Sequence, residues 1–128
     1  MPATRIETRR GWIGDRRREV IEAVQRALQT GLRIPDHDRC VRLLEYDDDA
    51  MIAPPEKGPS YLIVEVTLFS GRSMEAKREL YASMAEELGS FGVPPSDIKI
   101  ILIEVERENW GLRGIPASDI DLGYRIDV

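Results

Sequence analysis

The chain has 128 residues, 42% hydrophobic and 32% charged, which is the balance of one folded globular unit and excludes a disordered or membrane-embedded chain. The net charge of −5 argues against a nucleic-acid partner, because phosphate contacts need a basic surface. There is no run near the roughly 20 apolar residues of a membrane span, and no apolar signal core at the N-terminus, so the chain is expected in the cytoplasm without a membrane partner.

Pro2 to Thr8 alternates in polarity and predicts a short strand. From about Asp15, Val20, Ile21, Val24, Ala27 and Leu28 recur at helical spacing, with Gly31 read as the stop signal. Ile34-Pro35 turns the chain, and Cys40 to Tyr46 predicts a second strand. Asp47 to Ser60 is a polar loop carrying Pro54, Pro55, Gly58 and Pro59, a hinge between halves. Tyr61 to Phe69, rich in β-formers, predicts a central strand. Gly71-Arg72-Ser73 opens a second helix with Ser73 as N-cap and Leu80, Tyr81, Met84, Leu88 and Phe91 inward, closed by Val93-Pro94. Ile98 to Val105 predicts the fourth strand, and the tail carries one further short strand at Tyr124 to Ile126.

The halves repeat. Gly11-Trp12 precedes Gly71-Arg72 by 60 residues, as Val20, Val24 and Leu28 precede Leu80, Met84 and Leu88. Past the helices the offset becomes 59, with Ile34-Pro35, Asp38 and Glu45 ahead of Val93-Pro94, Asp97 and Glu104. The expected fold is α+β: tandem β-α-β repeats, about 2–46 and 61–105, form one four-stranded mixed sheet with two helices on one face, followed by a tail over 106–128 in a single domain. The opposite face of the sheet is then left partly apolar and in need of a partner, which predicts an oligomer.

Tandem β-α-β units, a Met-Pro start and Gly-Arg-Ser opening the second helix together resemble the tautomerase superfamily. The run Gly71 to Lys77 resembles the segment after the first strand of 4-oxalocrotonate tautomerase. The length, with Pro35-Asp36-His37-Asp38-Arg39 and Glu108-Asn109-Trp110, is similar to the malonate semialdehyde decarboxylase group. The resemblance implies a homotrimer, no cofactor, and a small carboxylated oxo-acid or enol substrate; with Cys40 the only cysteine and His37 the only histidine, no metal site is expected. It departs at Trp12, where the first repeat commonly has an arginine, and at Ser70-Gly71-Arg72, where only the second of two arginines remains.

The implied chemistry begins with removal of Met1, which converts the Pro2 nitrogen from an amide to a secondary amine. A free α-amino group titrates near neutrality, about 7.7 to 8.0, and an apolar pocket beside a cation lowers it. As a base it carries out keto–enol tautomerisation; held protonated, it becomes the acid of a malonate semialdehyde-type decarboxylase. Arg72 would hold the substrate carboxylate through two charge-assisted hydrogen bonds. By the same resemblance Asp38 would polarise Pro2 or a water, Trp110 would wall the pocket, and Ser70 and Lys99 would contact substrate, Lys99 without the flat fork of an arginine. Each has a plain alternative: Asp38 satisfying backbone donors as Asp97 would, Trp110 and Trp12 packing, His37 exposed, Tyr46 and Tyr124 packing. A non-catalytic trimeric binding protein on the same fold is the remaining reading.

Overall fold

A computed structural model describes residues 1–128. Strand β1 (Ala3–Arg9) leads into helix α1 (Arg17–Leu32) and strand β2 (Val41–Tyr46); strand β3 (Leu62–Phe69), helix α2 (Met74–Gly89) and strand β4 (Ile98–Val105) repeat the unit. The sheet order is β2-β1-β3-β4. Each repeat pairs its own strands in parallel, and the repeats join by antiparallel pairing of β1 with β3, centred on Ile6 opposite Val64. The arrangement is the α+β fold expected of tandem β-α-β units, with both helices packed on one face.

Period-two alternation sorts the sheet. Thr4, Ile6 and Thr8 of β1 and Leu62, Val64, Val66 and Leu68 of β3 are buried beneath the helices. Ile6 and the four β3 residues meet Val20, Val24 and Leu28 of α1 and Leu80, Met84 and Leu88 of α2 in a single apolar cluster. Full burial of each such aliphatic side chain is worth about 1.5–3 kcal/mol, so this layer dominates the stability. The opposite face carries a charged centre, where Arg5 contacts Glu65 at 2.8 Å and Glu7 at 3.0 Å. Tyr46, expected as packing, donates its phenol to Glu7 there. Leu44, Ile101 and Ile103 stand exposed on the same face.

The structure corrects two local expectations. Gly31 does not stop α1: it lies inside the helix, and a Cβ added there would sit 2.5 Å from the Leu80 Cα. Its role is the close crossing of α1 on α2, and the helix ends instead at Arg33, which takes the left-handed conformation at φ 56°. Tyr124 to Ile126 forms no strand, because its side chains are drawn in different directions by separate contacts; these residues pack as irregular chain, Tyr124 bonded to Asp38 and Ile126 against Phe69 and Ala117. The tail instead makes a small antiparallel hairpin, β5 (Gly111–Leu112) with β6 (Ile115–Pro116), turned by Arg113 and Gly114 at positive φ. Near the N-terminus Arg10 pairs with Asp47 at 3.0 Å and Arg17 with Glu45.

Candidate active site

The site forms where the start of β1, the end of β3, the loop before β2 and the tail converge. Pro2 is buried immediately ahead of β1. The Met1 amine before it donates to the Tyr124 phenol oxygen and lies 3.5 Å from Asp38 Oδ2. Tyr124 in turn donates to the same Asp38 oxygen at 2.9 Å. Amine, phenol and carboxylate thus share one hydrogen-bonded cluster, closed across 86 residues of sequence between Asp38 and Tyr124.

Burial lowers the affinity of this amine for its proton below the ordinary amine value; Asp38 opposes that, and Arg72 and Arg107 add to it as neighbouring cations. The Tyr124 hydroxyl is held neutral, its ionisation suppressed by burial and by its bond to Asp38. Arg72 stands just before α2, whose first turn is capped by Ser73 Oγ accepting from the Ala76 amide at 3.1 Å. Its guanidinium is 6% exposed and donates from Nη1 to the Phe69 carbonyl at 3.1 Å. Nε and Nη2 are buried without a partner, and burial disfavours the charged form. Such a group, its remaining donors unused, is suited to receive an anion.

Two adjoining cavities meet at this cluster. One, of about 310 Å³, is lined by Met1, Pro2, His37, Asp38, Trp110 and Leu112 among others. The second, of about 260 Å³, shares Met1, His37, Asp38 and Leu112 and adds Tyr124 and Arg113. The Trp110 ring rests on Phe69, with centroids 4.8 Å apart, and so walls the first cavity. His37 is exposed, as expected, yet borders both.

Of the residues singled out from sequence, Pro2, Asp38 and Trp110 therefore meet at one cavity, with Arg72 electrostatically coupled to its amine. Ser70 is set apart: its hydroxyl donates to Glu106 at 2.7 Å and borders a separate, polar hollow with Arg107 and Ser118. Lys99 is not brought to the cluster within this chain. It pairs with Ile63, which faces Glu7, five residues or about 17 Å along β1 from Pro2, and its ammonium lies 6.0 Å from the Tyr61 ring. Tyr124 and Arg107 join the site without having been anticipated; no local pattern marks either, since both arrive through the fold of the tail. At the position equivalent to Arg72, Trp12 packs on the core and donates to Thr8 Oγ1 at 2.9 Å, so the first repeat has no counterpart of that cation.

Residues 38–113 match the family described as tautomerase enzyme, a span of more than half the chain. The chain belongs to the tautomerase family. This tautomerase is 37% identical over 57 residues to a probable tautomerase of Ralstonia nicotianae, an alignment covering 44% of this chain and 81% of the relative. It is 26% identical over 57 residues to the 2-hydroxymuconate tautomerase of Comamonas testosteroni, covering 44% of this chain and 90% of that one. Among solved structures it is similar to a malonate semialdehyde decarboxylase inhibited by 3-bromopropiolate, at 30% identity and TM-score 0.78 over 91% of this chain and 92% of that chain. It also shares the fold of a fused 4-oxalocrotonate tautomerase solved as an asymmetric trimer, at 17% identity and TM-score 0.81, covering 91% and 97%. Both alignments take in 44% of this chain and most of the relative's length. No helix is long and apolar enough to cross a membrane.

Proposed function

We propose that this tautomerase uses the N-terminal amine of Pro2, freed by removal of Met1, to move a proton within a small carboxylated oxo or enol substrate without a cofactor. The observation that carries this reading is the Asp38–Tyr124 pair in direct contact with the chain's terminal amine, beside a buried arginine with two unused donors. With Met1 in place the Pro2 nitrogen is an amide and cannot act as a base. Without it the terminal amine sits one residue deeper, at a buried position where desolvation favours the neutral form still more. A neutral amine takes the proton from the enol oxygen or from carbon next to the carbonyl and returns it elsewhere, while Arg72 binds the carboxylate and steadies enolate charge. Asp38 orients the amine, Tyr124 fixes Asp38, and Trp110 keeps water out.

A decarboxylase reading, with the amine held protonated, draws support from Asp38 at 3.5 Å, which favours the charged amine, and from the 30% identity to a malonate semialdehyde decarboxylase. Residues 1–128 are read as one tautomerase unit that associates as a homotrimer through the open sheet face, where Leu44, Ile101 and Ile103 are uncovered. Ser70 and Lys99, placed away from the amine in one chain, contribute to substrate binding only if a neighbouring protomer brings them near. Phenylenolpyruvate ketonisation and carbon dioxide release from malonate semialdehyde, each run with Pro2→Ala, separate the two reactions. Absence of both activities in the processed protein would instead favour a binding protein on this fold.

A further inference from the structure

Gln25 sits in the middle of α1, 2% exposed, beside a small hollow that it shares with Ile21, Val41, Arg18, Glu22 and Arg39. Its Nε2 donates to the main-chain carbonyl of Asp38 at 3.1 Å, and its Oε1 is buried with no partner. A buried amide that leaves its oxygen unpaired is a poor choice for stability, since methionine or leucine would occupy the same space without the desolvation cost. What the amide does supply is a tether on the one loop that carries a carboxylate to the terminal amine.

That loop is also held by two backbone bonds, Asp38 N to Pro35 O at 3.0 Å and Thr4 N to Cys40 O at 2.9 Å, and at its surface by Arg39 paired to Glu22 of α1. None of these fixes the Asp38 carbonyl. The second repeat shows what happens without the tether. The position 60 residues after Gln25 is Ala85, which has no amide. There Asp97, the counterpart of Asp38, has its carboxylate taken up by the segment before β3, accepting from the Gly58 amide at 3.1 Å and Ser60 Oγ at 3.4 Å. In the first repeat Gln25 holds the loop by its backbone, and the Asp38 carboxylate is left free for Tyr124 and the amine.

We infer that Gln25 is a positioning residue for catalysis, acting through Asp38 by fixing the peptide from which its carboxylate reaches the N-terminal amine. This inference rests on the amine reading given above. The charged or titratable groups facing the amine are Asp38, Tyr124, Arg72 and Arg107; those bordering Gln25 are Arg18, Glu22 and Arg39, with Arg39 paired to Glu22. Loosening Asp38 removes the one nearby anion that favours the charged amine, so the amine should release its proton at lower pH.

The test uses the processed protein and the variants Gln25→Leu, Gln25→Met, Asp38→Asn and Pro2→Ala. Thermal midpoint, kcat and KM on phenylenolpyruvate, and the pKa of the Pro2 amine by nitrogen NMR are read for each. In both Gln25 variants the midpoint should stay within a few degrees of the native protein, relief of the unpaired Oε1 offsetting loss of the bond to the Asp38 carbonyl, with KM within about threefold. A slack catalytic geometry should lower kcat by about ten- to a hundredfold. The amine pKa should move down, as in Asp38→Asn but by less. A native amine pKa and native kcat in the Gln25 variants would overturn the inference, as would a fall in activity that only tracks lost folded protein. Full activity in Pro2→Ala would overturn the amine reading and the inference together. Loss of activity in Pro2→Ala beside unaffected Gln25 variants would overturn the inference alone.

Discussion

Replacing Arg72 by methionine separates what this residue does for function from what it does for the fold. The guanidinium is 6% exposed, uses Nη1 on the Phe69 carbonyl, and leaves Nε and Nη2 buried and unpaired. Two charge-assisted hydrogen bonds to a substrate carboxylate, at about 1.5–3 kcal/mol each, give about 3–6 kcal/mol. At 1.36 kcal/mol per factor of ten, Arg72→Met should lower kcat/KM by about 10²- to 10⁴-fold. Stability should move the other way. The variant loses one bond to a neutral carbonyl, worth about 1 kcal/mol, and is relieved of a desolvated cation with two unpaired donors, which costs more than that. Steady-state kinetics on phenylenolpyruvate and a thermal melt of the same preparation test both halves. A kcat/KM within threefold of the native value, or a melting point lowered by several degrees, would refute the reasoning.

Gly31→Ala forces a methyl into the α1–α2 crossing, 2.5 Å from the Leu80 Cα, and should destabilise the protein by about 1–3 kcal/mol in a denaturant titration; an unchanged midpoint would mean that the helices separate freely. Ser73→Ala removes the cap on the Ala76 amide and should cost about 1 kcal/mol, measured the same way, with a larger proportional loss of activity because the first turn of α2 adjoins Arg72. Tyr124→Phe deletes the hydrogen bond to Asp38 Oδ2 and should lower kcat by about ten- to a hundredfold while the circular dichroism spectrum is unchanged; native kcat would assign Tyr124 to packing alone.

The two β-α-β halves were legible because their signals are local: period-two apolar residues in Tyr61 to Phe69 and helical spacing from Val20 to Leu28 need no knowledge of distant chain. The internal repeat then set the pairing of the units. Gly31 misled because a glycine near the end of an apolar run reads equally as a stop or as a close contact, and only the Leu80 backbone opposite decides. Arg33 gave no warning of its left-handed φ, which is imposed by the turn into Ile34. Tyr124 to Ile126 looked like a strand, but it pairs with no strand and its side chains anchor separately, Tyr124 on Asp38 and Ile126 on Phe69.

For the site, resemblance drew attention to Pro2, Asp38, Arg72 and Trp110, which the structure clusters around one amine-bearing end of the sheet. It could not supply Tyr124, whose partner is 86 residues away, nor Gln25, which reads as an ordinary residue of a helix face until its amide is seen against Asp38. The same limit explains Lys99. Its place in β4 follows from sequence, but which end of the sheet it occupies relative to Pro2 follows from the antiparallel joining of β1 and β3.

The most direct test of amine catalysis is the intact mass of protein expressed without an N-terminal tag, taken on the sample used for turnover of phenylenolpyruvate and malonate semialdehyde. The expected result is a mass lower by one methionine residue, with one of the two activities present and lost in Pro2→Ala. A full-length mass in a sample that turns over either compound at an undiminished rate would contradict it, because the Pro2 nitrogen would then be an amide.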